Sequence, residues 1–177
     1  SGTVSGLQGQ FAMVQHYGNT LTAPVEAIYT FPLADQAIVL GAEIRIGERT
    51  VVATLKAKKE ARQEFEEARD AGHHAALVEQ HRPNIFQMSV AGIEPGQAVS
   101  VTLRWLQPVP WQGHGGRLSI PLVVAPRFIP GTPLDRPSQG GGWSPDTDAV
   151  PDASLVTPAV TEAVSYTASL NLTLTPG

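Results

Sequence analysis

Apolar and polar residues alternate with a period of two along segment after segment of this chain, and that pattern constrains the fold more than any other feature. A strand points successive side chains to opposite faces, so period two marks one buried face and one wet face. Ala42, Ile44 and Ile46 alternate with Glu43 and Arg45. Gly47-Glu48 then offers a turn, and Val51, Ala53 and Leu55 resume on one face, which reads as a β-hairpin. Phe86, Met88 and Val90 alternate with Gln87 and Ser89, and Glu94-Pro95-Gly96 follows with proline and glycine placed as a type II turn wants them. Val99, Val101, Leu103 and Trp105 then face away from Ser100, Thr102 and Arg104, so the spacing predicts a second hairpin. Near the start, Phe11, Met13 and Tyr17 share a face with Gln15 while Ala12, Val14 and His16 share the other, which predicts a strand partly covered on both faces. Near the end, Tyr166, Ala168, Leu170, Leu172 and Leu174 alternate with Thr167, Ser169, Asn171 and Thr173. A strand that regular needs a sheet to join.

One segment departs from the alternation. From Ala57 to Gly72 the small or apolar residues Ala57, Ala61, Phe65 and Ala68 recur at helical spacing, among Lys58, Glu60, Arg62, Glu64, Glu66 and Arg69. Gly72 stands where a left-handed cap ends such a helix, and the alanine stripe lets it lie close to a sheet. The class is therefore mainly β with one α-helix. With 177 residues, 42% of them hydrophobic, the chain can bury one sizeable core. A net charge of −4 offers no cationic surface for nucleic-acid phosphates, and no apolar run reaches the ~18–20 residues a membrane span needs. The absence of cysteine excludes disulfides, thiol catalysis and thiolate metal sites. Between Pro126 and Pro158 seven prolines and the run Gly140-Gly141-Gly142 leave few large apolar residues. The composition divides the chain into a domain over 1–130, a Pro/Gly-rich linker or surface strap over 131–164, and a strand within 165–177 that completes the sheet or starts the next domain.

The order of particular residues says more. Pro24-Val25-Glu26-Ala27-Ile28-Tyr29-Thr30-Phe31-Pro32-Leu33 is followed by Ile46-Gly47-Glu48-Arg49, then Phe65-Glu66-Glu67-Ala68 and Gly72. Next come Ala76-Leu77-Val78-Glu79-Gln80, Arg82-Pro83-Asn84-Ile85-Phe86 and Ile93-Glu94-Pro95-Gly96, then Pro121 and Pro126-Arg127-Phe128. From about Gln15 to Pro130 this order closely resembles the vault protein/inter-alpha-trypsin (VIT) domain family. Phe128 and Trp105 stand where the family often has tyrosine, and both keep the aromatic bulk. The resemblance implies a β-sandwich-like module with one helix and no catalytic role. Its structural signature falls here on Glu26, Tyr29, Phe31, Pro32, Phe65, Gly72, Arg82, Asn84, Phe86, Pro95 and Gly96. It further implies a secreted or cell-surface, adhesin-like parent in which a von Willebrand type A domain is the usual neighbour. No Asp-x-Ser-x-Ser motif of that domain occurs in this chain, which puts such a neighbour beyond Gly177. The abundance of alanine, arginine and proline beside few lysines looks like a bacterial member.

Candidate sites each have a plainer reading beside the functional one. His73 and His74, with Glu79 and His81, are metal-ligand types, but adjacent strand residues face opposite ways, so they read as solvated turn histidines. Asp146, Asp148 and Asp152 offer hard oxygens for calcium without the glycine and closing glutamate of an EF-hand, and read as a flexible acidic loop. Glu26 and Arg82 sit among apolar and proline residues, where a charge must be paired, so both read as structural ties. Asn84 reads as a turn residue bonding its local backbone. Trp105 lies on an apolar strand face and reads as core; Trp111 and Trp143 lie among glycine and proline and are candidates for stacking on sugar rings. The expected partners are a protein or the adjacent type A domain, with matrix or glycan as further candidates. No cofactor is implied.

Overall fold

The computed structural model describes residues 1–53, 58–71, 75–82, 84–122, 132–139, 141–157 and 167–175. In chain order its elements are β1 (Gly2–Ser5), β2 (Gln8–Gly18), β3 (Val25–Pro32), β4 (Ile38–Ile46), β5 (Arg49–Ala53), α1 (Lys58–Asp70) and β6 (Ala75–Arg82). β7 (Ile85–Ile93), β8 (Ala98–Pro108), β9 (Trp111–Gln112), β10 (Gly115–Gly116), α2 (Ala153–Val156) and β11 (Leu172–Thr175) follow. They form a six-stranded sheet in the order β11-β1-β2-β8-β4-β5, a three-stranded sheet in the order β3-β7-β6, and the small β9-β10 hairpin. All pairings are antiparallel except that of β11 with β1.

The two larger sheets pack face to face, as alternation demands. Phe11, Trp105 and Val39 lie across one row of the first sheet, and Met13, Leu103 and Ala42 across another. Opposite them the second sheet presents Tyr29, Phe31, Phe86, Met88, Val90 and Ile93, and together these side chains make one core. Aromatic rings stitch it together. Phe11 stacks on Trp105 with centroids 5.3 Å apart, and Phe31 on Phe86 at 5.7 Å. Between the sheets, Tyr17 of β2 meets Tyr29 of β3 at 5.8 Å, and Gln15 Nε2 donates to Tyr29 Oη at 2.5 Å. Beneath Phe11 the backbone must come close: a Cβ on Gly2 would meet its ring at 2.3 Å and one on Gly9 at 2.4 Å.

The second sheet is covered on both sides. α1 lays Phe65 against Leu77 and Ala91 on the far face, with Ala68 half-buried beside them, and the alanine keeps the helix close to the strands. Residues 141–157 cover more of that face. There Gln87 Nε2 donates to the Leu155 carbonyl at 2.8 Å, and Gly141 packs on Ile28. The segment is closed on itself by backbone bonds from Gly142 to Ser154 and Trp143 to Thr157, and Leu134 bonds to Trp143, all at 2.8–3.0 Å.

Three expectations need correction. β7 and β8 are not a hairpin, because β7 pairs with β3 and β6 while β8 pairs with β2 and β4; the Pro95-Gly96 turn carries the chain from one sheet to the other. Period two reveals which face of a strand is buried, and is silent on its neighbours. The second face of β2 is covered less than expected: Ala12 is half-buried there, but Val14 is 52% exposed and His16 is exposed. The terminal strand is shorter than its alternation, spanning only Leu172–Thr175; Tyr166 lies outside the described residues. The helix begins and ends within the expected span, and Ala57 and Gly72 also lie outside the described residues.

β11 pairs with β1 from Gly2↔Leu172 to Ser5↔Thr175, and Gly2 N–H donates to the Asn171 carbonyl at 2.9 Å. A chain shortened to end at Thr157 loses these bonds and the cover that Leu172 gives the core. Its thermal midpoint by calorimetry is expected to fall by about 2–4 °C, the shift of a ~1 kcal/mol loss in a domain of this size; an unchanged midpoint would show the strand to be idle.

Candidate functional site

The signature residues that the structure describes are spread over β3, α1, the end of β6, β7 and the turn before β8. Glu26 on β3 is exposed and lies 4.0 Å from Arg69 Nη1 of α1. Arg69 also donates to Asp70 Oδ1 at 2.9 and 3.0 Å, and these bonds, then the charges of Asp70, Glu26 and Glu66, hold its guanidinium further toward the charged form. Tyr29, Phe31 and Phe86 form a continuous aromatic stack in the core. Asn84, in the turn from β6 to β7, accepts from Leu33 N–H at 3.0 Å through its backbone carbonyl, which ties the end of β3 at Pro32 to that turn. Arg82 ends β6 opposite Ile85.

Pro95 and Gly96 make the expected turn, closed by Gln97 N–H to the Glu94 carbonyl at 3.1 Å with Gly96 at φ 74°. What holds that turn is Asn19, which the sequence reading did not single out. Its Nδ2 donates to the carbonyls of Ile93 and Ala23 at 2.9 and 3.0 Å, and its Oδ1 accepts from Leu21 N–H at 2.9 Å. Its backbone exchanges bonds with Gln97 and Gly96 at 3.0 and 2.8 Å. Gln107 is a second such residue: 2% exposed, it accepts from Trp105 Nε1 and donates to the Ser119 carbonyl. Gly18-Asn19-Thr20 reads as an ordinary loop, and only a buried tertiary site makes its asparagine decisive.

Trp105 is core at 3% exposure, whereas Trp111 is 63% exposed on the β9-β10 hairpin. It lines an apolar groove with Val4, Leu7, Val109, Leu118 and Leu174. Trp143 is half-buried within 141–157 and is not among the residues that line the groove beside Trp111. Asp146 Oδ1 accepts from Ser154 N–H at 2.8 Å and so braces the start of α2, while Asp148 is exposed and Asp152 half-buried. Among the described residues no three His, Cys, Asp or Glu side chains group to hold a metal ion. His73 and His74 lie outside those residues; Glu79 is buried, opposite Gln87 on the face that α1 and residues 141–157 cover.

Exposed apolar surface collects elsewhere, on the open face of the six-stranded sheet. Val14, Thr102, Glu43 and Val52 lie across one row of it, and Ile38 sits opposite Leu106 in another. Val14, Ile38 and Val52 are 52%, 63% and 67% exposed, with Leu40 at 45% at the β4 bulge. Amid them Glu43 stands 3.5 Å from Arg45 and 4.0 Å from Arg104, so the face mixes apolar side chains with a paired set of charges. No described helix is long and apolar enough to cross a membrane.

The family model of the vault protein inter-alpha-trypsin domain matches residues 1–105. The chain belongs to the VIT domain family. The match takes in β1 and all of β2, which precede the motifs, and ends within β8. This VIT domain is 38% identical over 131 residues to mouse Protein mono-ADP-ribosyltransferase PARP4, across 74% of this chain and 6% of that protein. It is 34% identical over 120 residues to rat von Willebrand factor A domain-containing protein 5A, across 66% of this chain and 15% of that protein. A von Willebrand factor A domain-containing protein of Dictyostelium discoideum is 25% identical over 95 residues, across 54% of this chain and 10% of the relative. The VIT domain thus corresponds to a small part of far longer relatives.

The buried and exposed polar residues of this VIT domain should differ sharply on substitution. Asn19→Ala strands two carbonyls and an N–H, and is expected to lower the unfolding free energy by about 2–4 kcal/mol in urea titration. Glu26→Gln, at a solvent-screened pair, should leave the urea midpoint where it was.

Proposed function

We propose that this VIT domain is a non-catalytic interaction and structural module that positions a neighbouring von Willebrand type A domain in a secreted or cell-surface, adhesin-like protein. One observation carries the reading: the buried polar side chains of Asn19 and Gln107 are bonded within the fold, whereas Val14, Ile38, Leu40 and Val52 are exposed on a sheet face that no described element covers. Docking through such a face requires shape and apolar contact with a polar rim, and no reacting group. The pairing with a type A domain is supported by the rat and Dictyostelium relatives whose names carry that domain. The surface setting, matrix or host partners and a bacterial source rest on the family resemblance and on a composition of nine arginines to three lysines.

The reading predicts a type A domain in the same open reading frame. Titrated against the isotopically labelled VIT domain, it should shift amide resonances of β2, β4 and β5. Val14→Lys and Ile38→Lys should each weaken binding about tenfold, a loss of ~1.4 kcal/mol, with an unchanged thermal midpoint. A reading frame without that domain, or full-strength binding by both variants, contradicts the reading.

A second reading has its own observation, the exposed Trp111 beside an apolar groove: a glycan-binding module in which the indole stacks on a sugar face. A glycan array run with and without calcium tests it. Binding that Trp111→Ala abolishes would favour this reading, and a blank array would remove it.

A further inference from the structure

A strand at a sheet edge is a template for another chain, and proteins blunt such edges with charge, proline or a bulge. β3, an edge of the three-stranded sheet, carries all three: Glu26, Pro32 and a bulge between Val25 and Ala27. β5 begins on Arg49 and lies beside β6 of the other sheet. β11 has none of these devices. It reads Leu172-Thr173-Leu174-Thr175, and among the described residues it is the outermost strand of the six-stranded sheet, paired with β1 alone. Leu174 is 72% exposed and Leu170 just before it 65%, while Thr173 and Thr175 are also exposed.

Parity makes this edge complementary to itself. In a two-fold antiparallel pairing that keeps both inner faces on one side, only like-facing positions can lie opposite one another. For this sequence that sets leucine against leucine on the inner side and threonine against threonine on the outer side, pairs that favour strand association. No charge lies within the strand to oppose a second copy. On the inner side the groove lined by Leu7, Trp111 and Leu174 continues the apolar surface toward the axis.

We infer that two copies of this chain associate through their β11 edges, antiparallel across a two-fold axis, and so join their six-stranded sheets into one. One short strand and a flanking groove bury less than roughly 1,200 Å² in total, which places the dimer in the weak class, with a Kd on the order of 100 µM.

Sedimentation equilibrium of the chain from about 5 µM to 1 mM, a range chosen to straddle that Kd, tests the inference. The apparent mass should rise from 18.8 kDa toward twice that value. Leu174→Lys and, independently, Thr173→Lys place a charge on the exposed strand and should each hold the mass at the monomer value, with wild-type circular dichroism and thermal midpoint. Val52→Lys, on β5 at the opposite edge, should dimerise like the wild type. A wild-type chain that stays monomeric throughout overturns the inference and leaves the edge to a strand of some other protein. So does a dimer that survives both β11 variants in folded form, or one that Val52→Lys abolishes.

Discussion

The structure depends on the burial of two sheet faces against one another, because neither sheet has another way to hide its apolar side. Val99, Val101, Leu103 and Trp105 on β8 and Phe31, Phe86, Met88 and Val90 on the facing sheet are all at most 5% exposed. Each such side chain contributes about 1.5–3 kcal/mol by leaving water, and a strand pair by itself would forfeit it. The remaining elements answer to this one contact. The Pro95-Gly96 turn lets a single chain supply a central strand to each sheet, and Asn19 fixes that turn by satisfying the backbone groups that the crossing would otherwise bury unpaired.

Six strands face three, and the mismatch determines where surface is left over. β5 lies beside β6, and Tyr17 of β2 meets Tyr29 of β3, so the second sheet spans the first from β5 to β2. β1 and β11 extend beyond it. Their inner side is closed only in part, by the half-buried Val4 and Leu172, and the apolar groove opens there beside Trp111. The second sheet carries α1 on one part of its far face and residues 141–157 on another, and among its described large apolar residues only Ile28, at 36%, is exposed. The outward face of the broad sheet and its β11 edge are therefore where contact with another body costs least in rearrangement.

Much of this was legible in the residues, for definite reasons. Alternation at Ala42–Ile46 and Val99–Trp105 identified strands and their buried faces, because period two is a local property of the backbone. Phe65 within an alanine stripe identified the helix and its packing face. Strand partners were not legible: β7 and β8 read as a hairpin, yet each uses both edges on other strands. Asn19 and Gln107 went unseen for a related reason. An asparagine beside glycine looks like any loop, and a glutamine after Trp105 looks like a break in the apolar face, until tertiary contact surrounds them with carbonyls and an indole N–H. Trp111 and Trp143 read alike in sequence, and only the fold separates an exposed indole from a half-buried one.

The central claim, that the two sheets stand only together, is tested most directly by native-state hydrogen exchange resolved by residue. Amides of β7 and β8 should open with the same free energy, equal to that of global unfolding, while amides in 132–157 and β11 open at lower cost. If the protected amides of one sheet exchanged well below the global value while those of the other retained it, the sheets would be separate folding units and the account would be wrong.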